Sequence, residues 1–142
     1  MITRPGVSSR AYETDSTAAG LRDHFQLHRI EAGHVDGGDV LRIGNRIYAG
    51  VSTRTDRTGI NALATISRSL GYEVLAAETG ACLHLKTGAT YAGDGVLLYD
   101  STPIDPAQFA GVEPVAVEEA GAANCVRAGD RIEWSDGSST VL

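Results

Sequence analysis

Three apolar runs, each doubling back at a glycine beside Asn or Asp, constrain this chain more than any other feature. Val40-Leu41-Arg42-Ile43 and Arg46-Ile47-Tyr48-Ala49-Gly50-Val51 flank Gly44-Asn45. Ala89-Thr90-Tyr91-Ala92, with Leu83 to Lys86 before it, runs to Gly93-Asp94-Gly95 and returns as Val96-Leu97-Leu98-Tyr99. Asn124-Cys125-Val126-Arg127-Ala128 turns at Gly129-Asp130 and returns as Arg131-Ile132-Glu133-Trp134. Apolar runs around a short glycine turn predict β-hairpins, because glycine reaches the backbone angles that tight hairpin turns demand. A helix is predicted over 52–70, where Ile60, Leu63, Ala64, Ile66, Ser67 and Leu70 recur at three- and four-residue spacing and Gly71 stops them. A strand follows at 72–76, and after the second hairpin come a short helical piece at 106–109 and a strand at 112–117. The turns lie 49 and 36 residues apart, so the unit of hairpin, helix and strand repeats. A repeat of this size predicts a propeller or an array. Two units are nearly whole and two are cut, and residues 1–142 read as one incomplete domain, a slice of a larger ring.

Before the first hairpin the reading is thinner. Thr3-Arg4-Pro5-Gly6 predicts a turn after a strand stub at Ile2. Residues 9–24 fit a helix with a narrow apolar face, and 26–31 alternate as a half-buried strand should. His24, His28 and His34 do not share a metal-ligand spacing and read as exposed surface residues. A net charge of −6 argues against nucleic acid, whose phosphates call for a basic face. No apolar run approaches the roughly 18 residues that span a bilayer. The start of the chain has no secretory pattern, and two distant cysteines, Cys82 and Cys125, make no disulfide framework. A cytoplasmic location is expected, with neither membrane nor nucleic acid as partner.

The candidate chemistry lies in Val35-Asp36-Gly37-Gly38-Asp39-Val40-Leu41, taken with Leu83-His84-Leu85-Lys86. Two carboxylates bracket two glycines just before a strand, which suits a cation or a cationic group. The competing reading is that such acidic glycine loops only turn the chain. His84, placed after a strand-like Cys-Leu run, is expected to be partly buried, where its proton affinity could be tuned near neutrality.

Five stretches together resemble one family: Ile2-Thr3-Arg4-Pro5-Gly6 with Arg10, Asp36-Gly37-Gly38-Asp39, Ser52-Thr53-Arg54-Thr55, Leu83-His84-Leu85-Lys86, and Ala122-Ala123-Asn124-Cys125. They are similar to dimethylarginine dimethylaminohydrolase, of the guanidino-group-modifying (pentein) superfamily. The resemblance implies an α/β fold, a partial α/β propeller built of ββαβ repeats. It also implies hydrolysis of an N-methylated arginine to citrulline and a methylamine through a covalent cysteine intermediate, with no cofactor and no metal. Carried over by motif, His84 and Asp36 are the catalytic residues, the first as general acid/base and the second as holder of the guanidinium. Arg10, Arg54 and Asp39 are the substrate-binding residues. The two arginines would clamp an α-carboxylate, and Asp39 would order the loop. The implied partner is a small guanidino compound such as a methylated arginine.

The chain departs from that family in three ways. The segment carrying the family's nucleophilic cysteine is expected to be absent, since neither Cys82 nor Cys125 matches it. The family's first unit, with further substrate-binding carboxylates, is expected to be absent too. Residues 134–139 also lack the apolar hairpin and proline-containing loop expected there. The expectation is therefore a truncated or split hydrolase, inactive alone. The alternative is an inactive protein of the same descent that binds arginine-like ligands or serves assembly. Open strand edges further predict a homo-oligomer or a complementing chain.

Overall fold

In the computed structural model, residues 1–119, 121–134 and 139–141 are described. The part of the departing segment at 135–138 lies outside them. The first sheet has the order β1-β2-β3, with β1 at Val40–Ile43, β2 at Arg46–Val51 and β3 at Glu73–Glu78. The hairpin β1-β2 pairs Ile43 with Arg46 across Gly44-Asn45, and Gly44 takes φ +60° as that turn requires. β3 runs parallel to β2, so a crossover is needed, and the helix at Arg57–Ser69 supplies it. A helix α1 at Ala11–Leu21 precedes all of this, so the crossover helix is α2.

The second unit repeats the plan in order β4-β5-β6, at Ala89–Gly93, Val96–Tyr99 and Glu113–Ala116. Its hairpin is antiparallel and its third strand parallel, but the crossover holds only a 3₁₀ turn at Pro106–Gln108. The third sheet, β7-β8-β9 at Cys125–Ala128, Arg131–Trp134 and Ser139–Val141, is antiparallel throughout.

Alternation along the strands decides what each face meets. Ile47, Ala49, Val51 and Val74 turn to Ile60 and Leu63 of α2, together with Ile30 and Val35. Leu41, Tyr48, Leu75 and Ala77, on the opposite face, pack against Leu85, Ala89, Leu97, Ile104 and Phe109 of the second unit. Ala92, Val96 and Leu98 then turn away from that cluster to meet Cys125, Ile132 and Trp134. The second sheet is thus sandwiched between the other two.

Several local expectations are corrected. The strand expected at 26–31 is reduced to one parallel bridge between Ile2 and Arg29. Its partner is too short: Ile2 bonds His28 and Ile30, and Arg4 already pairs with Val35. The segment around Leu83 to Lys86, read as extended, is a loop entering a single helical turn, α3 at Leu85–Gly88. The second hairpin turns at Asp94-Gly95, one residue later than expected, because β4 carries an irregularity between Tyr91 and Gly93. The helix expected from 52 begins at Arg57, since Ser52–Thr55 form a turn and Asp56 is the N-cap of α2. His34 is half-exposed and pairs with Asp56 at 3.1 Å.

Asp56 accepts the Gly59 N–H at 2.7 Å. That bond, with further help from His34 and against some burial, holds its carboxyl below the usual carboxylate range. A depressed value contributes stability that is complete above the unfolded carboxylate range and is lost as pH falls through the lowered value. Asp56→Ala is expected to destabilise the chain by about 1 kcal/mol near neutrality, the usual loss of a helix N-cap. Urea midpoints of both proteins should converge as the solution is made acid; a gap that stays constant would show that the cap does not carry this effect.

Candidate active site around Asp39 and His84

The short 3₁₀ turn Gly37–Asp39 places Asp39 at the mouth of β1, fully buried. A buried carboxylate is tolerable only when donors surround it. Four do. Ser52 and Thr55 each donate a hydroxyl to Oδ2 at 2.7 Å, and the Leu85 N–H donates to Oδ1 at 2.9 Å. The fourth donor is His84, whose Nδ1 lies 3.4 Å from Oδ2. A single side chain therefore ties together the acidic loop, the Ser52–Thr55 turn and the start of α3.

Both hydroxyls work twice. The Ser52 Oγ accepts the N–H of Arg54 at 3.0 Å and of Thr55 at 3.2 Å. The Thr55 Oγ1 accepts the Asp36 N–H at 2.9 Å. Asp36 and Asp39 are thereby joined through Thr55, a link that no reading of the acidic loop alone contains. The signal for it was the spacing of two hydroxyls three residues apart in Ser52-Thr53-Arg54-Thr55, which local side-chain bonding favours.

His84 stands in extended backbone just before α3, braced by Thr87, which accepts its N–H and donates to its carbonyl at 2.6 Å. Its side chain is 16% exposed. With Nδ1–H donated to Asp39, the neutral ring keeps the lone pair of Nε2, which has no hydrogen-bond partner among the described residues. Its ring lies against Gly38, where an added Cβ would come within 2.7 Å of Cγ. Gly50 is crowded in the same way, by Leu85, Thr79 and Asp39 itself.

Asp36 is nearly buried and bonded at both oxygens. The Gly38 N–H reaches Oδ1 at 3.3 Å, and Arg10 Nη1 reaches Oδ2 at 3.1 Å. Arg10 also places Nε on Glu13 at 3.0 Å. The expected donor for a ligand's carboxylate is thus paired with two carboxylates of the protein. These residues border a cavity of about 310 Å³, lined by Ile2, Arg10, Glu13, Asp36 and Gly38 among others. Arg54 is adjacent through its backbone and borders a smaller recess with Gly6, His34 and Asp56; its side chain makes no hydrogen bond among the described residues.

Cys82 stands two residues before His84, with its thiol close to Thr87. Cys82 is half-buried and donates its thiol to the Thr79 carbonyl, and Cys125 lies in the third cluster. Burial pushes both thiols up, away from the thiolate that attack requires. Among the described residues no group of three or more His, Cys, Asp or Glu could hold a metal ion.

Small three-stranded sheets built on repeated hairpins, with a histidine–carboxylate pair at the mouth of the first, define a mixed α/β protein of the pentein fold. The family model of arginine deiminase matches residues 18–114, and the chain belongs to that family. Among curated proteins it is 36% identical over 135 residues to N(G),N(G)-dimethylarginine dimethylaminohydrolase of Streptomyces coelicolor, covering 93% of this chain and 52% of that one. The corresponding protein of Pseudomonas aeruginosa is 31% identical over 137 residues, covering 93% and 54%. A solved structure of the Pseudomonas aeruginosa enzyme complexed with citrulline superposes with a TM-score of 0.86 at 28% identity, over 93% of this chain and 54% of that one. The chain spans about half the length of the curated relatives it matches.

Asp39→Asn turns one acceptor into a donor that faces two hydroxyls and an N–H. It is expected to cost about 2–4 kcal/mol of stability, as breaking a buried charged network does. Equilibrium urea unfolding measures this, and a change within the usual surface range would remove Asp39 from its central role. Gly38→Ala should displace the His84 ring and shift its ring-proton resonances, leaving those of Trp134 in place.

Proposed function

We propose that this chain carries the guanidinium-binding and proton-transfer part of a dimethylargininase-like amidinohydrolase. The observation that carries the reading is the pairing of buried Asp39 with part-buried His84 beside Asp36, a carboxylate already holding a guanidinium in this structure. Membership of the arginine deiminase family and the two dimethylarginine dimethylaminohydrolase relatives support it.

In the proposed reaction Asp36 orients the ligand's guanidinium through charge-assisted hydrogen bonds. Arg10 and Arg54 hold the α-carboxylate, for which a planar fork of donors is well shaped. A cysteine thiolate forms a bond to the guanidinium carbon. The carbon–nitrogen bond to the methylated amine breaks, and His84 delivers the proton that the leaving amine needs. The neutral ring then takes a proton from water, whose oxygen bonds to the same carbon; citrulline leaves and the thiolate returns. Asp39 keeps the imidazole in one tautomer and steadies its charged form.

We assign the thiolate to another segment or chain, because neither Cys82 nor Cys125 matches the family's nucleophile and burial pushes both thiols up. In the same reading the stacked sheets are blades of an α/β propeller, the protein is cytoplasmic, and it self-associates or is completed by a partner. No cofactor takes part.

The test is citrulline formation from asymmetric dimethylarginine by the chain alone and with a cysteine-bearing segment of a relative added. The chain alone should be silent, since loss of the nucleophile in a covalent enzyme costs on the order of 10⁴ to 10⁶ in rate. In the complemented protein His84→Ala should lower turnover by about 10² to 10⁴. Robust turnover by the chain alone that disappears in Cys82→Ser or Cys125→Ser would contradict the assignment.

A further inference from the structure

Arg10 stands where a ligand's guanidinium would stand. Its Nη1 is 3.1 Å from Asp36 Oδ2 and its Nε is 3.0 Å from Glu13 Oε2. The two ends of this arrangement differ in their surroundings. The Asp36 side chain is 8% exposed, whereas Arg10 and Glu13 are 43% and 42% exposed. A nearly buried carboxylate stripped of its cation is strongly disfavoured. Arg10 can therefore leave Asp36 readily only when another cation arrives. A guanidinium is the closest replacement, since it presents the same planar set of donors.

We propose that Arg10 is an internal competitor that makes the site selective for molecules carrying both a guanidinium and a carboxylate. The inference rests on the reading of Asp36 as the carboxylate that binds the ligand's guanidinium. An incoming guanidinium displaces Arg10 Nη1 from Asp36 and leaves that carboxylate neutralised as before. Glu13, one helical turn along and bonded to Nε, retains the displaced side chain at the rim of the cavity. The freed end of Arg10 then takes the ligand's carboxylate. A ligand with both groups exchanges one ion pair and gains another. A guanidinium without a carboxylate displaces Arg10 and gains nothing in return. Specificity here comes from what the wrong ligand fails to repay, as well as from what the right one contacts.

The prediction has opposite signs for two probes. Isothermal titration of the intact chain with L-arginine, agmatine and methylguanidinium should give binding of arginine at least about tenfold tighter than either carboxylate-free probe. In Arg10→Gln arginine should weaken about tenfold, while methylguanidinium should tighten about threefold, the scale of a partly exposed ion pair. Glu13→Gln should retain the preference for arginine but narrow it. Parallel weakening of all three probes in Arg10→Gln would overturn the inference, leaving Arg10 a simple contact. Binding of arginine and agmatine with equal affinity by the unaltered chain would also overturn it. Failure of every probe to bind the unaltered chain would instead remove the reading of Asp36, and the inference with it. Should Arg10→Gln fold poorly, the side-chain Nε–Hε resonance of Arg10 in the unaltered chain decides. It should move on adding methylguanidinium chloride; an unmoved signal while the Gly38 amide responds would contradict displacement.

Discussion

A carboxylate buried without access to water must be surrounded by donors, and Asp39 organises this molecule by recruiting them from two places. The hydroxyls of Ser52 and Thr55, the Leu85 N–H and the His84 ring belong to segments that are distant in sequence. Each segment is short and irregular, and none has a large apolar face of its own. Their positions follow from the charge they share. Because breaking a buried charged network costs far more than an exposed ion pair contributes, the arrangement is resolved to one geometry.

The sheets bring the donors within reach. β1 and β2 deliver the acidic loop and the Ser52–Thr55 turn to the same end of the first sheet, since a hairpin followed by a crossover puts both there. α3 arrives from the second unit and is held by Leu85, which is fully buried in the cluster between the two sheets while its N–H faces Asp39. Leu85 thus belongs to the core and to the site. Glycines at 38 and 50 provide the clearance, because a side chain at either would strike His84, Leu85 or Asp39.

Much of this was legible in the residues. Hairpins follow from local turn chemistry, and the strands at β1, β2, β5, β7 and β8 lie within a residue of where alternation and glycine place them. α2 was legible because Ile60 and Leu63 recur on one face, although its first turn was not: Ser52 and Thr55 spend their hydroxyls on tertiary bonds. The strand expected at 26–31 failed because alternation says nothing about the length of the partner. His84 was placed near the carboxylates by resemblance alone, and its helical turn was missed because four residues carry no periodicity. The pairing of Arg10 with Asp36 could not be read at all, since it joins two charges 26 residues apart through space.

The central claim is that Asp39 holds the start of α3, and the amide of Leu85 reports on it most directly. As the first residue of a one-turn helix, Leu85 has an N–H with no helical acceptor. Its only described acceptor is the Asp39 carboxylate at 2.9 Å. Hydrogen exchange followed by NMR at neutral pH should therefore find the Leu85 amide protected as strongly as the amides paired within β2 and β3. Exchange at the rate of an open loop would contradict the account.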